Sequence, residues 1–163
     1  MATIVLLSCT KSKLDHPCPA KELYSASPMF QKTMEYGQSL KPDKMFILSA
    51  KHHLVPMDKK LAPYDMTLKD MKKDEKEKWG QTVMGQMKSS GIDPQKDKFV
   101  FLTGSEYMKP LTEYIPEGNI EKPMEGKKMG ERLQWLNGQI KTIKEFVKKL
   151  KNIIYETISR KTK

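Results

Sequence analysis

His52 and His53 stand side by side in a chain with only three histidines, and Asp65, in the triplet Pro63-Tyr64-Asp65, follows His53 by twelve residues. A histidine and an aspartate facing one cleft can act as acid and base, or the carboxylate can stabilise a developing cation. On extended backbone adjacent side chains point to opposite faces, so at most one of the two histidines would face such a cleft. The plainer alternatives are that each histidine packs or sits at the surface and that Asp65 caps the turn ahead of Thr67. Metal chemistry has little support. The adjacent histidines lack the one-turn helical spacing of a zinc pair, no Cys-x-x-Cys occurs, and Cys9 and Cys18, with His16 between them, fit no common zinc module. Cys9 lies close in sequence to Lys11 and Lys13, which suits either a reactive thiol or a buried inert one. A P-loop and a Gly-x-Gly-x-x-Gly are both absent, so neither cofactor nor metal is expected.

The elements that must position these residues follow from the apolar pattern. Residues 3–8, 45–49 and 98–103 are short continuous apolar runs, as in strands buried on both faces, and a weaker run surrounds Ile120 before Pro123. Ser27-Pro28 supplies an N-cap and first helical residue, with Phe30 and Met34 on one face and Gly37 and Pro42 as stops. Thr67 and Asp70 have capping-box spacing, and Trp79, Val83 and Met87 form a helical stripe ending near Ser90-Gly91. This alternation predicts an α/β fold: a three-layer parallel sheet of about four strands with helices on both faces. In the last third, Leu133, Leu136, Ile140, Ile143, Val147, Leu150 and Ile154 alternate spacings of three and four. They predict one long amphipathic helix over about 128–160, weakened at Gly138. The chain thus divides into a core at 1–126 and a basic helical segment at 127–163. That segment either packs on the core or serves self-association, with a homodimer as the possible product.

Ligands of open α/β sheets sit beyond the carboxyl ends of the strands. Here each confident strand ends in a small hydroxyl residue and a polar loop: Ser8-Cys9-Thr10-Lys11-Ser12-Lys13, Ser49-Ala50-Lys51-His52-His53, and Thr103-Gly104-Ser105-Glu106-Tyr107. Small residues let a ligand approach the backbone, whose amides can bind phosphate oxygens. Parallel strands would bring these loops together, with Tyr64-Asp65 folded over them. Ser8, Lys51, Asp65 and Gly104 are therefore expected to border one cavity. The competing account makes each hydroxyl a local turn cap and leaves the lysines in solvent.

Charge points the same way. Thirty Lys and Arg face twenty Asp and Glu, a net charge of +10, which favours nucleic acid or a nucleotide as partner or simply keeps the chain soluble. Only Arg132 and Arg160 are arginines, so bidentate reading of guanine in a major groove is not expected. With no apolar run near the ~20 residues of a membrane span, two cysteines and no secretory pattern at residue 1, the expectation is a soluble cytoplasmic protein with no membrane partner.

Several segments resemble an uncharacterised bacterial and phage family, the domain of unknown function 6884, which is loosely similar to YaaA-type stress proteins. They are Ser8 to Lys13, Leu23 to Phe30, Leu48 to His52, Ala62 to Asp65, Thr103 to Tyr107 with Pro110-Leu111, and Gly130 to Leu136. The resemblance covers about residues 3–136, and the family pattern usually carries glycine where this chain has His53. It implies a sheet like that of uracil-DNA-glycosylase-like and archaeosine-synthase accessory domains. By that analogy the substrate is a base in a nucleotide or nucleic acid and the reaction is N-glycosidic cleavage or base exchange. Such a bond breaks through an oxocarbenium-like state that a carboxylate can stabilise while an acid protonates the departing base. Asp65 then takes the carboxylate or water-activating role and His52 the acid or base-contact role. Lys11, Lys13 and Lys51 would hold phosphate, and Tyr24 or Tyr64 would stack on the base. Ser8, Cys9, Thr10, Ser49, Gly104, Ser105 and Tyr107 would line the substrate. This reading depends on the single cavity; the alternative, which the net charge and the lysine-rich extension support equally, is a non-catalytic protein that binds DNA, RNA or a phosphorylated nucleotide.

Overall fold

The computed structural model describes residues 1–162; Lys163, the last residue of the expected helical segment, lies outside the described residues. The three apolar runs form strands β1 (Thr3–Ser8), then, beyond the two-residue strand β2 (Cys18–Pro19), β3 (Lys44–Ser49) and later β6 (Lys98–Leu102). β1 lies between β3 and β6, parallel to both, with Leu6 opposite Phe46 on one side and Phe101 on the other. Side chains alternate across the sheet as the pleat requires. Ile4, Leu6, Leu48 and Phe101 enter one buried cluster, and Val5, Leu7, Ile47 and Leu102 enter the other. Burial on both faces explains why these runs show no polar alternation.

The sheet has five strands in the order β4-β3-β1-β6-β7. β7 (Ile120–Glu121) pairs parallel with β6, where the weak apolar run lay. β4 (His53–Pro56) departs from the expected all-parallel arrangement by running antiparallel to β3 at the edge. Residues 50–52 alone connect the two, a hairpin length, whereas a parallel return needs a dozen residues or more. The turn sends His53 to φ +63°, the left-handed region that suits glycine. A second small sheet joins β2 to β5 (Lys60–Leu61), antiparallel. Two-residue strands carry no periodicity that a sequence can display.

Helices cover both faces. Helix α1 (Ala20–Leu23) is a single turn, and α2 (Pro28–Ser39) starts as expected, with Ser27 Oγ accepting from Phe30 N at 3.2 Å. Helix α3 (Lys73–Ser89) starts later than the Thr67–Asp70 spacing suggests. Thr67 instead caps a 3-10 turn, Leu68–Asp70, and Lys72 N donates to the Glu75 carboxylate at 3.0 Å. Helix α4 (Ser105–Thr112) contains Pro110 and begins inside the segment Thr103 to Tyr107, expected as a polar loop. Trp79, Val83 and Met87 from α3 pack with Met108 and Leu111 from α4 on one face of the sheet. Phe30 from α2 and Leu136 from the long helix α5 (Met129–Lys161) pack on the other. Only Leu136 and Ile140 of α5 are buried, so its proximal half packs on the core and the apolar residues of its distal half are exposed. Among the described residues, no helix is long and apolar enough to cross a membrane.

Helices α3 and α4 are in tight contact at Gly80, where a Cβ would come within 2.5 Å of the Pro110 carbonyl oxygen. Gly85, on the same helix, has nothing within 4 Å of a Cβ. Gly80→Ala is therefore expected to destabilise the fold by about 1–3 kcal/mol, because backbone must move. Gly85→Ala should stabilise it by about 0.5–1 kcal/mol through helix propensity. Chemical denaturation of both variants checks the opposite signs.

Candidate functional site

Because β1, β3 and β6 are parallel, Ser8, Ser49 and the Thr103-Gly104 corner finish on the same sheet edge. Ser49 is fully buried, and its hydroxyl accepts from His52 N at 3.0 Å and lies 2.6 Å from the Tyr64 hydroxyl. Tyr64 is in turn 2.6 Å from the hydroxyl of buried Tyr24. The Ser49 carbonyl accepts from Trp79 Nε1 at 2.9 Å. On the other side, Cys9 Sγ lies 3.1 Å from the Tyr107 hydroxyl. The loops after the three strands thus converge, but much of their polar surface is spent on one another. Burial pushes the Tyr24 phenol up to about 12, and Tyr64 and Tyr107 are raised further by burial and by the nearby Cys9.

Lys13 belongs to this locked edge and does not stand free as a phosphate ligand. Its Nζ donates to the Thr10 carbonyl at 2.8 Å and lies 4.4 Å from the centre of the Tyr64 ring, a cation–π contact. Burial lowers its pKa, while Cys9 and Asp65 act in the opposite direction. Lys51 is exposed with its ammonium 5.9 Å from the same ring, and Lys11 is exposed in its loop.

Two cavities open near this edge. A groove of about 550 Å³ is bordered by Ala50, His53, Asp65, Thr67, Trp79 and the neighbouring acidic residues Asp70 and Glu75. A small cavity of about 40 Å³ is bordered by Ser8, Thr10, Thr103, Gly104 and Arg132. Ser8 and Gly104 therefore share one cavity, Asp65 borders the other, and Lys51 borders neither. These two cavities divide the four residues, and between them the strand ends meet through Ser49, Tyr64 and Tyr24 and through Cys9 and Tyr107. Among the described residues no three His, Cys, Asp or Glu side chains gather as metal ligands.

The histidines also exchange their expected places. His53, on left-handed backbone, stacks on Trp79 with ring centres 6.4 Å apart and borders the groove with Asp65. His52 packs edge-on against Tyr64 at 5.2 Å instead. Burial lowers both imidazole pKa values, with Lys51 and Lys59 adding to the effect at His52, so each is neutral at pH 7 and suits accepting a proton better than donating one.

Arg132 is the residue that motif reading did not place in a site. It lies in the first turn of α5, its Nε donates to the Lys127 carbonyl at 2.8 Å, and its Nη1 would be 3.4 Å from a Cβ at Gly104. Gly104 is the N-cap of α4, so the guanidinium lies beside the start of that helix, whose first amides have no partner within it. Ser105 is exposed in the same turn. The available signal was the rarity of arginine in a lysine-rich chain.

Residues 4–138 match the model of a family of unknown function, DUF6884, and the chain belongs to that family. The match ends inside α5, just before Ile140, and leaves the exposed distal half outside it. No curated protein and no solved structure matches the chain.

Tyr64→Phe removes the hydroxyl that links Ser49 to Tyr24 and is expected to cost about 1–2 kcal/mol. A phenol whose pKa is raised by folding contributes stability that is complete below pH 10 and declines as the unfolded chain ionises first. Stability should therefore fall between pH 10 and about 12, and the fall should be shallower in Tyr64→Phe. Urea unfolding at a series of alkaline pH values measures both effects.

Proposed function

We propose that the protein binds a phosphorylated nucleotide, or a phosphorylated stretch of nucleic acid, with one phosphate group in the cavity between Ser8, Gly104 and Arg132. The observation that carries this reading is the Arg132 guanidinium at a cavity bordered by two strand ends. Its Nη groups can fork onto two phosphate oxygens. The Ser8 hydroxyl and the first amides of α4 add donors, and the helix start adds a favourable dipole. A cavity of about 40 Å³ has room for roughly three waters, the scale of one phosphate group rather than of a base. The net charge of +10 draws such a ligand in, and exposed Lys11 lies one residue beyond Thr10.

Glycosidic cleavage is not part of this reading. It required Asp65 and Lys51 around the same cavity as Ser8 and Gly104, and these four are divided. We take the sheet architecture to be similar to that of uracil-DNA-glycosylase-like domains.

Calorimetric titration with a nucleoside monophosphate, the matching nucleoside and inorganic phosphate tests the assignment. Affinity should require the phosphate, depend only mildly on salt as one phosphate contact dictates, and fall about tenfold or more, at least ~1.4 kcal/mol, in Arg132→Ala. Ser8→Ala should weaken binding less. Circular dichroism of Arg132→Ala establishes that the start of α5 survives loss of the Lys127 contact. Equal binding of nucleoside and nucleotide, or an unchanged affinity in a folded Arg132→Ala, refutes the phosphate site. Chromatography after incubation should return the nucleotide intact; released base would refute the non-catalytic reading.

A further inference from the structure

The apolar stripe that buries Leu136 and Ile140 continues in the same three–four spacing through half-buried Ile143, where Lys144 still reaches Glu35 of α2 at 3.5 Å, to Val147, Leu150 and Ile154 beyond the body of the protein. There it is bare. Phe146 is 61% exposed, Ile153 58% and Ile158 58%, on one side of one helix. Large contiguous apolar surfaces of this kind mark interaction sites on proteins that are otherwise soluble. We propose that residues 143–161 pair with the same segment of a second copy as an antiparallel two-helix seam.

The heptad spacing names a helix as the occupant, since an alternation of three and four keeps one seam facing another helix. Isologous pairing of identical segments about a two-fold axis is the commonest assembly. Antiparallel orientation follows from the packed end. The face that carries Ile143 to Ile154 is, at Leu136 and Ile140, already occupied by the core. Two parallel helices joined by this face would bring both cores into the same space between them, whereas antiparallel helices place the cores at opposite ends.

Length and charge then select a register. With Ile154 level with Leu150 of the second copy, Lys161 comes level with Ile143, three residues short of buried Ile140, a clearance of about 4.5 Å along the axis. Ile153 meets its own counterpart across the two-fold, and Phe146 meets Arg160 of the second copy, which can stack on its ring. A shift of one heptad that sets Ile154 against Ile143 would instead place Lys144 beside Lys151 twice over. Of the seven cations that stand against Glu145 and Glu156 over residues 141–161, Lys141, Lys148 and Lys149 face away from the seam, and the chosen register brings together one lysine pair, Lys151 and its counterpart, against two in the shifted register. This proposal is independent of the phosphate site.

Sedimentation equilibrium of the full chain tests it. A concentration-dependent dimer is expected, with Leu150→Glu and Ile154→Lys monomeric and unchanged in thermal midpoint for the core. A short bis-maleimide linker should join Ile153→Cys chains to each other more than it joins the wild type, whose Cys9 and Cys18 set the background. Val147→Cys should not exceed that background. A wild type that stays monomeric at high concentration overturns the proposal, as does crosslinking at 147 in place of 153. Co-sedimentation of monomer with anionic phospholipid vesicles, abolished by Ile154→Lys, would also overturn it and assign the stripe to a lipid surface.

Discussion

The central strand β1 holds the architecture together. It hydrogen-bonds to β3 on one side and β6 on the other, and its four innermost residues, Ile4 to Leu7, are all completely buried. Each of these side chains contributes roughly 1.5–3 kcal/mol of burial, and the alternation sends two to each face. Both hydrophobic clusters are therefore anchored on one six-residue strand. The parallel pairing that this strand enforces is also what collects three loops on one edge, so core and site have the same cause.

At that edge, convergence and closure compete. A ligand site needs polar groups without partners, and the groups at Ser49, Tyr24, Tyr64, Cys9 and Tyr107 have found one another. In a buried setting this is the stable outcome, because an unpartnered hydroxyl there costs about 1–3 kcal/mol. Chemistry is thereby displaced to the margins of the network. One margin offers Arg132 and the start of α4, and the other offers a neutral imidazole and a carboxylate beside Trp79.

The strands that are buried on both faces could be read from the sequence because nothing polar interrupts them. Their carboxyl ends could be read because Ser8, Ser49 and Thr103 recur in one pattern. The hairpin return at His53 could not. It depends on a backbone angle that a histidine adopts rarely, and a glycine at this position would have announced it. Helix α4 was hidden by its Pro110 and its short length, and β2 and β5 by having two residues each. The site was legible as an edge but not as cavities. Which hydroxyls pair with each other is decided by side-chain positions tens of residues apart, as with Tyr24 and Tyr64, and local spacing does not carry that information.

Arg132 has a mechanical consequence of its own. It lies four residues into a helix of 33 residues, which is about 50 Å long, and the packed stretch ends at Ile140. What lies beyond is a lever with its fulcrum at Ile140, eight residues past the guanidinium. A tilt of a few degrees at the root moves the far tip by some two or three ångströms, about half a helical turn.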